Sequence, residues 1–198
     1  KGTANLIGNG VVFDPIIFRE EAEAIEALNV PIRERLVISK KAHLIVPTHR
    51  VLDAASEKSK GASKIGSTLK GIGPTYKDKT GREGLRIGDI LAADFRDRYE
   101  ALKAKHISQI NNFGFEFNID EQEKEWFDAI EYLKTFTLVD GEYYINQALG
   151  KSLRVLAEGA QGSMLDVDFG SYPFVTSSST CCAGACIGLG VAPSKIGT

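Results

Sequence analysis

The chain has 198 residues, 43% of them hydrophobic, with 24 lysines and arginines against 26 acidic residues and a net charge of −2. That length allows one large domain or parts of two, and the near-neutral balance argues against a dedicated nucleic-acid binder, which carries a basic excess over its whole domain. No apolar run approaches the roughly 20 residues of a membrane span. No basic-then-apolar leader opens the chain, and the only cysteines, Cys181, Cys182 and Cys186, form no disulfide framework, which points to a reduced, cytoplasmic setting.

In chain order, "NLIGNGVVF" (5–13) reads as a strand and turn. Asp14 and Pro15 then supply a cap and a first helical residue for a helix running to about Leu28, with Phe18, Ala22, Ile25 and Leu28 on its buried face. "RLVIS" (35–39) and "HLIVP" (43–47) are short β-rich runs, and a short polar helix is expected over 49–60. The stretch 61–88 is basic and glycine-rich without sustained periodicity and reads as loop with brief regular pieces. From 94 to 112 the pattern turns helical, with Phe95, Tyr99, Leu102, His106 and Ile110 near one face. A second helix over 120–136 would bury Trp126, Phe127, Ile130 and Leu133, and a third lies around 142–149. With no β run expected among these three, they read as an all-helical subdomain inserted into an α/β protein. "RVLAEGAQG" (154–162) restarts the β pattern, breaking at glycine where α/β folds place ligand loops. The expected organisation is an α/β part over 1–90, a helical subdomain over 91–150 and a return to the α/β core over 151–198.

Three clusters could carry chemistry. Between Lys58 and Arg86 there are eight basic residues and two acidic ones, in a chain that is otherwise acidic. Within that stretch "GASKIGST" (61–68) nearly matches a phosphate loop but has Ser67 where the lysine must stand. Ser67, Thr68 and nearby backbone N–H groups could still hold a single phosphate, although a solvated basic loop is the commoner outcome for such a charge run. In "GIGPTYKDKTGR" (71–82), Gly73-Pro74 reads as a turn that presents Lys77, Lys79 and Arg82, and arginine's planar fork suits phosphate. The third cluster is 157–180. Gln161 there lies between small residues after a strand, and Thr176 to Thr180 form a hydroxyl run before an Ala/Gly-rich helix, an arrangement that suits an anion or, equally, a plain N-cap. Asp166 and Asp168 read as structural because nothing nearby completes a metal shell. The three cysteines read as small buried thiols, since His43, His49 and His106 all lie outside zinc-ligand spacing from them.

The 71–82 stretch resembles the second signature of the adenylosuccinate synthetase family, G-I-G-P-x-Y-x-x-K-x-x-R, at Gly71, Ile72, Gly73, Pro74, Tyr76, Lys79 and Arg82. "IGNGVV" (7–12), "VPIRERL" (30–36), "EGAQG" (158–162) and "YPFVTSSST" (172–180) extend the resemblance over nearly the whole chain. It implies a fold similar to P-loop nucleotide-binding proteins, with a mostly parallel sheet that is incomplete here. It also implies a Mg²⁺-requiring, GTP-dependent ligase of purine biosynthesis that joins IMP and L-aspartate and works as a homodimer. By motif position, Thr68 and Thr176 would contact the IMP 5′-phosphate, Gln161 would meet IMP near the reacting part of its base, and Arg82 would reach the IMP bound by the partner subunit. The catalytic residues and the sites for GTP and Mg²⁺ would belong upstream of Lys1, and those for aspartate and guanine beyond Thr198. The chain, which begins at Lys1 without an initiator methionine, then reads as the middle of the enzyme, inactive alone and carrying an IMP half-site. Ser67 and Lys70 stand where threonine and arginine are common in that family. The competing reading is a non-catalytic phosphate-binding or dimerising module.

Overall fold

The computed structural model describes residues 2–197. Two parallel sheets organise it. In the larger, β1 (Asn5–Ile7) and β5 (Thr137–Val139) flank β3 (Leu36–Ser39), with Leu6 opposite Val37 and Ile38 opposite Leu138; in the smaller, β2 (Val12–Phe13) pairs with β4 (His43–Leu44). Parallel pairing buries strands on both faces. Ile38 and Leu44 are accordingly sealed from solvent, and the α/β class expected from the sequence is the one observed.

Helix α1 (Pro15–Ala27) begins as its sequence dictates: Asp14 Oδ1 accepts from the N–H groups of Ile16 (3.0 Å) and Ile17 (3.4 Å), and Pro15 fills the first position. It buries Phe18 and Ala22 against α6 (Asp120–Leu133), but Leu28 is 75% exposed and Ile25 also faces solvent, so the buried face stops short of the expected length. The short α2 (Ile32–Arg35) leads into β3, and α3 (Pro47–Ser59) lies against both α4 (Ile72–Gly81) and α5 (Phe95–Asn112). Helix α5 buries all five residues of its predicted stripe. In α6, Trp126 stacks on Tyr99 with centroids 5.0 Å apart and donates its indole N–H to Ile45 O at 2.8 Å, tying this helix to the core.

Two β expectations are corrected. β5, with its β-branched Thr137 and Val139, stands between α6 and α7 (Gly141–Gly150), so the three helices are interrupted by a strand that the sequence pattern missed. The run 154–162 forms no strand: Leu156 is 92% exposed, and among the described residues no neighbour supplies the hydrogen bonds a strand requires. The final helix, α8 (Ala183–Leu189), follows the hydroxyl run as expected. The cysteines before and within it are not buried, however: Cys182 is exposed, and Cys181 and Cys186 are only partly covered. Among the described residues no helix is long and apolar enough to cross a membrane.

Candidate functional site

The loop before α4 takes its shape from α3. That helix is not merely polar: His49, Asp53 and Glu57, spaced one turn apart, are all buried on one face. Glu57 Oε1 accepts from the backbone N–H groups of Gly66 (2.6 Å) and Ser67 (3.4 Å). Asp53 accepts from the Ser67 hydroxyl at 2.6 Å and from Gly71 N at 3.0 Å. The Gly66 N–H bond, joined by Lys60, holds the Glu57 carboxyl below the usual carboxylate range despite its burial. The Ser67 hydroxyl and the backbone donors expected to cradle a phosphate are therefore turned inward onto the chain's own carboxylates. Thr68, between them, is exposed, as are Lys64 and Lys70.

The 71–82 stretch is a helix, not the expected turn. Gly71 caps α4 at φ +76°, and a Cβ there would lie 2.9 Å from His49 C, so both the conformation and the close approach to α3 demand glycine. Pro74 falls in the first helical turn, where its missing N–H has no intrahelical acceptor in any case. Only part of the motif presents cations. The Tyr76 hydroxyl donates to Gly10 O (2.7 Å) and Lys79 Nζ to Asn9 O (3.0 Å), docking α4 onto the 8–11 turn, and burial lowers the Lys79 ammonium pKa. Gly10 itself packs on Gly188, where a Cβ would come within 2.8 Å of the Gly188 Cα. Arg82, the left-handed C-cap of α4, is exposed and has no acidic partner among the described residues. It borders a cleft of about 360 Å³ lined also by Glu83, Asp89, Arg98 and Lys105, whose other two cations are paired, Arg98 with Asp89 and Lys105 with Glu83 and Asp78.

A buried polar hub at Asp78 was not legible in the sequence. Asp78 Oδ2 accepts from His49 Nε2 (2.9 Å) and His106 Nε2 (2.8 Å), and Oδ1 accepts from Lys105 Nζ (3.1 Å). Burial pushes this carboxyl up, but the two histidines more than reverse it and hold it well below the carboxylate range. Two imidazoles and a carboxylate this close could suggest a metal centre. The proton positions argue otherwise: His49 Nδ1 accepts from Val46 N–H at 3.0 Å, so the neutral ring carries its proton on Nε2, which faces Asp78 as a donor. The set does not suit Mg²⁺ either, which takes oxygen ligands. The hub joins α3, α4 and α5 four residues before Arg82.

Asp166 organises the segment 162–181. Its carboxylate accepts from the N–H groups of Asp168 (3.0 Å), Phe169 (3.1 Å), Thr180 (2.7 Å) and Cys181 (3.2 Å), which hold its pKa far below the ordinary value. The anion expected where the hydroxyl run meets α8 is thus this internal side chain. Asp168 is exposed. Thr176 is half-buried and donates its N–H to Leu165 O at 2.9 Å, and Gln161 is exposed at φ 67°. Next to Gln161, the Gly162 carbonyl accepts from the Thr180 hydroxyl at 2.9 Å. The hydroxyl run also meets the start of α4: a Cβ at Gly73 would stand 3.4 Å from Ser177 Oγ. Thr176 is thus the chain neighbour of the residue that meets α4, Thr68 precedes that helix by four residues, and Gln161 is next to the residue tied to the far end of the run. Arg82 sits at the opposite end of the ten-residue α4, about 15 Å away at 1.5 Å per residue.

The family model for adenylosuccinate synthetase matches residues 1–198. The chain is 59% identical over 198 residues to the adenylosuccinate synthetase of Flavobacterium johnsoniae, covering 99% of this chain and 47% of that protein. It is 61% identical over 193 residues to the corresponding protein of Bacteroides fragilis, covering 98% and 45%. Its fold is similar to that of the fully ligated adenylosuccinate synthetase from Plasmodium falciparum, with a TM-score of 0.85, 32% identity and coverage of 98% of this chain and 45% of the other. The chain thus spans about half the length of the relatives it matches.

Proposed function

Because the chain belongs to the adenylosuccinate synthetase family, we propose that it supplies the IMP side of a ligase that joins IMP and L-aspartate at the expense of GTP. In this reading Thr68 and Thr176 bind the IMP 5′-phosphate from the start of α4, Gln161 contacts the base, and Arg82 enters the site of a second subunit in a cytoplasmic homodimer. GTP and Mg²⁺ are held by segments outside these 198 residues, where Mg²⁺ would offset charge on the transferring phosphoryl group. The observation that carries the reading is the placement of Arg82. It is an exposed arginine, unpaired among the described residues, at the far end of α4 from Thr68. The axial length of α4, about 15 Å, exceeds the reach of an arginine side chain by itself, which supports a role for Arg82 away from the phosphate contact of its own subunit.

The test is subunit mixing in the complete synthetase. Arg82→Leu should raise the KM for IMP without unfolding the protein. Combining Arg82→Leu subunits with subunits inactivated in their GTP loop should restore part of the activity, because the mixed dimer pairs one intact GTP loop with one intact Arg82. Mixed dimers that form and remain inactive would show that Arg82 serves its own subunit or none.

A further inference from the structure

The buried carboxylates of α3 have no place in that account, yet they shape the loop on which it depends. Acidic side chains beneath a loop meant to meet a phosphate look misplaced, since their charge opposes the ligand's. Their hydrogen bonds give the reason. A glycine-rich loop with free N–H groups can settle in many conformations and can present several donors to an anion. Here Glu57 takes Gly66 N and Ser67 N, Asp53 takes the Ser67 hydroxyl and Gly71 N, and the Ser67 oxygen in turn accepts from Leu69 N at 3.2 Å. Four backbone donors and one hydroxyl on either side of Thr68 are thereby committed. Thr68 is left pointing to solvent between two pinned points, with Gly71 locked against His49 behind it.

We propose that Asp53 and Glu57 are positioning residues for Thr68, withdrawing the neighbouring donors of the 66–71 loop so that the phosphate contact falls on Thr68. This rests on the reading of Thr68 as a phosphate-binding residue. Both carboxylates act by geometry, so the neutral isostere should do the work of Glu57. Glutamine keeps an oxygen at the Oε1 position, which accepts both backbone bonds, and loses only the ion pair from Oε2 to Lys60.

The experiment is steady-state kinetics on the complete synthetase, with each variant checked for native secondary structure. Thr68→Ala should raise the KM for IMP about ten-fold or more, the loss of one hydrogen bond to a charged group. Glu57→Ala should raise it about ten-fold with kcat and the KM for GTP nearly unchanged, whereas Glu57→Gln should stay within about two-fold of the parent. The double variant Glu57→Ala/Thr68→Ala should be no worse than Thr68→Ala alone, because Glu57 acts only through Thr68. If Glu57→Ala does not fold, Ser67→Ala loosens the same loop without touching α3 and should shift the KM for IMP in the same direction. Independent, multiplying effects in the double variant, or an unchanged KM in Glu57→Ala and Ser67→Ala while Thr68→Ala raises it, would overturn the positioning role and leave the Thr68 assignment standing. An unchanged KM in Thr68→Ala would overturn the assignment and the positioning role with it.

Discussion

His43 should make the fold acid-sensitive, and the effect can be worked from its surroundings. The ring is 4% exposed in β4, its Nδ1 has no hydrogen-bond partner, and burial, followed by the Lys79 and Arg86 charges, pushes its pKa from 6.5 down to about 4. The unfolded chain binds this proton below about pH 6.5 and the folded one only near pH 4. Stability is therefore fully present above pH 6.5 and is lost as pH falls through that window. Between pH 7.5 and pH 5 the linkage relation gives a loss of about 2 kcal/mol from this one side chain. Trp126, the only tryptophan and buried, offers a direct fluorescence readout of urea unfolding. His43→Gln should be less stable than the parent by a smaller margin at pH 5 than at pH 7.5, the two margins differing by about 2 kcal/mol. His49, which burial also lowers to about 4, keeps some acid sensitivity of the same sign in the variant. Equal losses between pH 7.5 and pH 5 in parent and variant would refute the account of His43.

Gly71→Ala should destabilise by roughly 2–4 kcal/mol, combining the left-handed penalty with a clash against backbone that cannot yield. Gly114→Ala, also at positive φ but with nothing within 4 Å of its added Cβ, should cost only about 1–2 kcal/mol, and equal costs in urea unfolding would remove the close approach to His49 as the reason for Gly71. Asp166→Asn turns an amide donor toward the Thr180 and Cys181 N–H groups or toward those of Asp168 and Phe169, so hydrogen exchange should accelerate across 166–181, and unchanged protection would contradict its organising role.

What could be read in the sequence follows from how local each cause is. The Asp14 cap, the five-residue stripe of α5 and the 71–82 motif all lie within a few turns of chain, and each could be identified without its neighbours. Helix α4 was hidden by its glycines and Pro74, which weigh against a helix everywhere except its first turn. β5 is three residues long and abuts α6, so its period of two had no room to declare itself. The Asp78 hub joins residues 28 and 29 positions apart from different helices, and no spacing rule reaches that far. Thr68, Arg82, Gln161 and Thr176 fell within clusters that the residues marked only as candidate anion or base contacts, each with a structural alternative. Their roles toward IMP came from resemblance to a family.

The face of α3 shows why such residues escape a pattern reading, and why that matters for the site. Histidine, aspartate and glutamate at one-turn spacing look like a solvated face, because isolated charges are costly to bury. The cost is removed here because the adjoining segment, 66–78, has few apolar side chains to offer and many backbone and polar donors that need acceptors. Each member of the stripe meets a different part of that segment: Glu57 its start, Asp53 its middle and His49 the Asp78 carboxylate within α4. One rigid helix thereby sets both ends of the element that carries the candidate contacts, Thr68 before α4 and Arg82 after it. If Arg82 acts in a second subunit, a shift of α3 would disturb its own site through Thr68 and its partner's through Arg82. His49→Ala, placed in the subunit that donates Arg82, should then impair complementation in mixed dimers, an effect that Glu57→Ala in that same subunit, at the other end of the stripe, should not share.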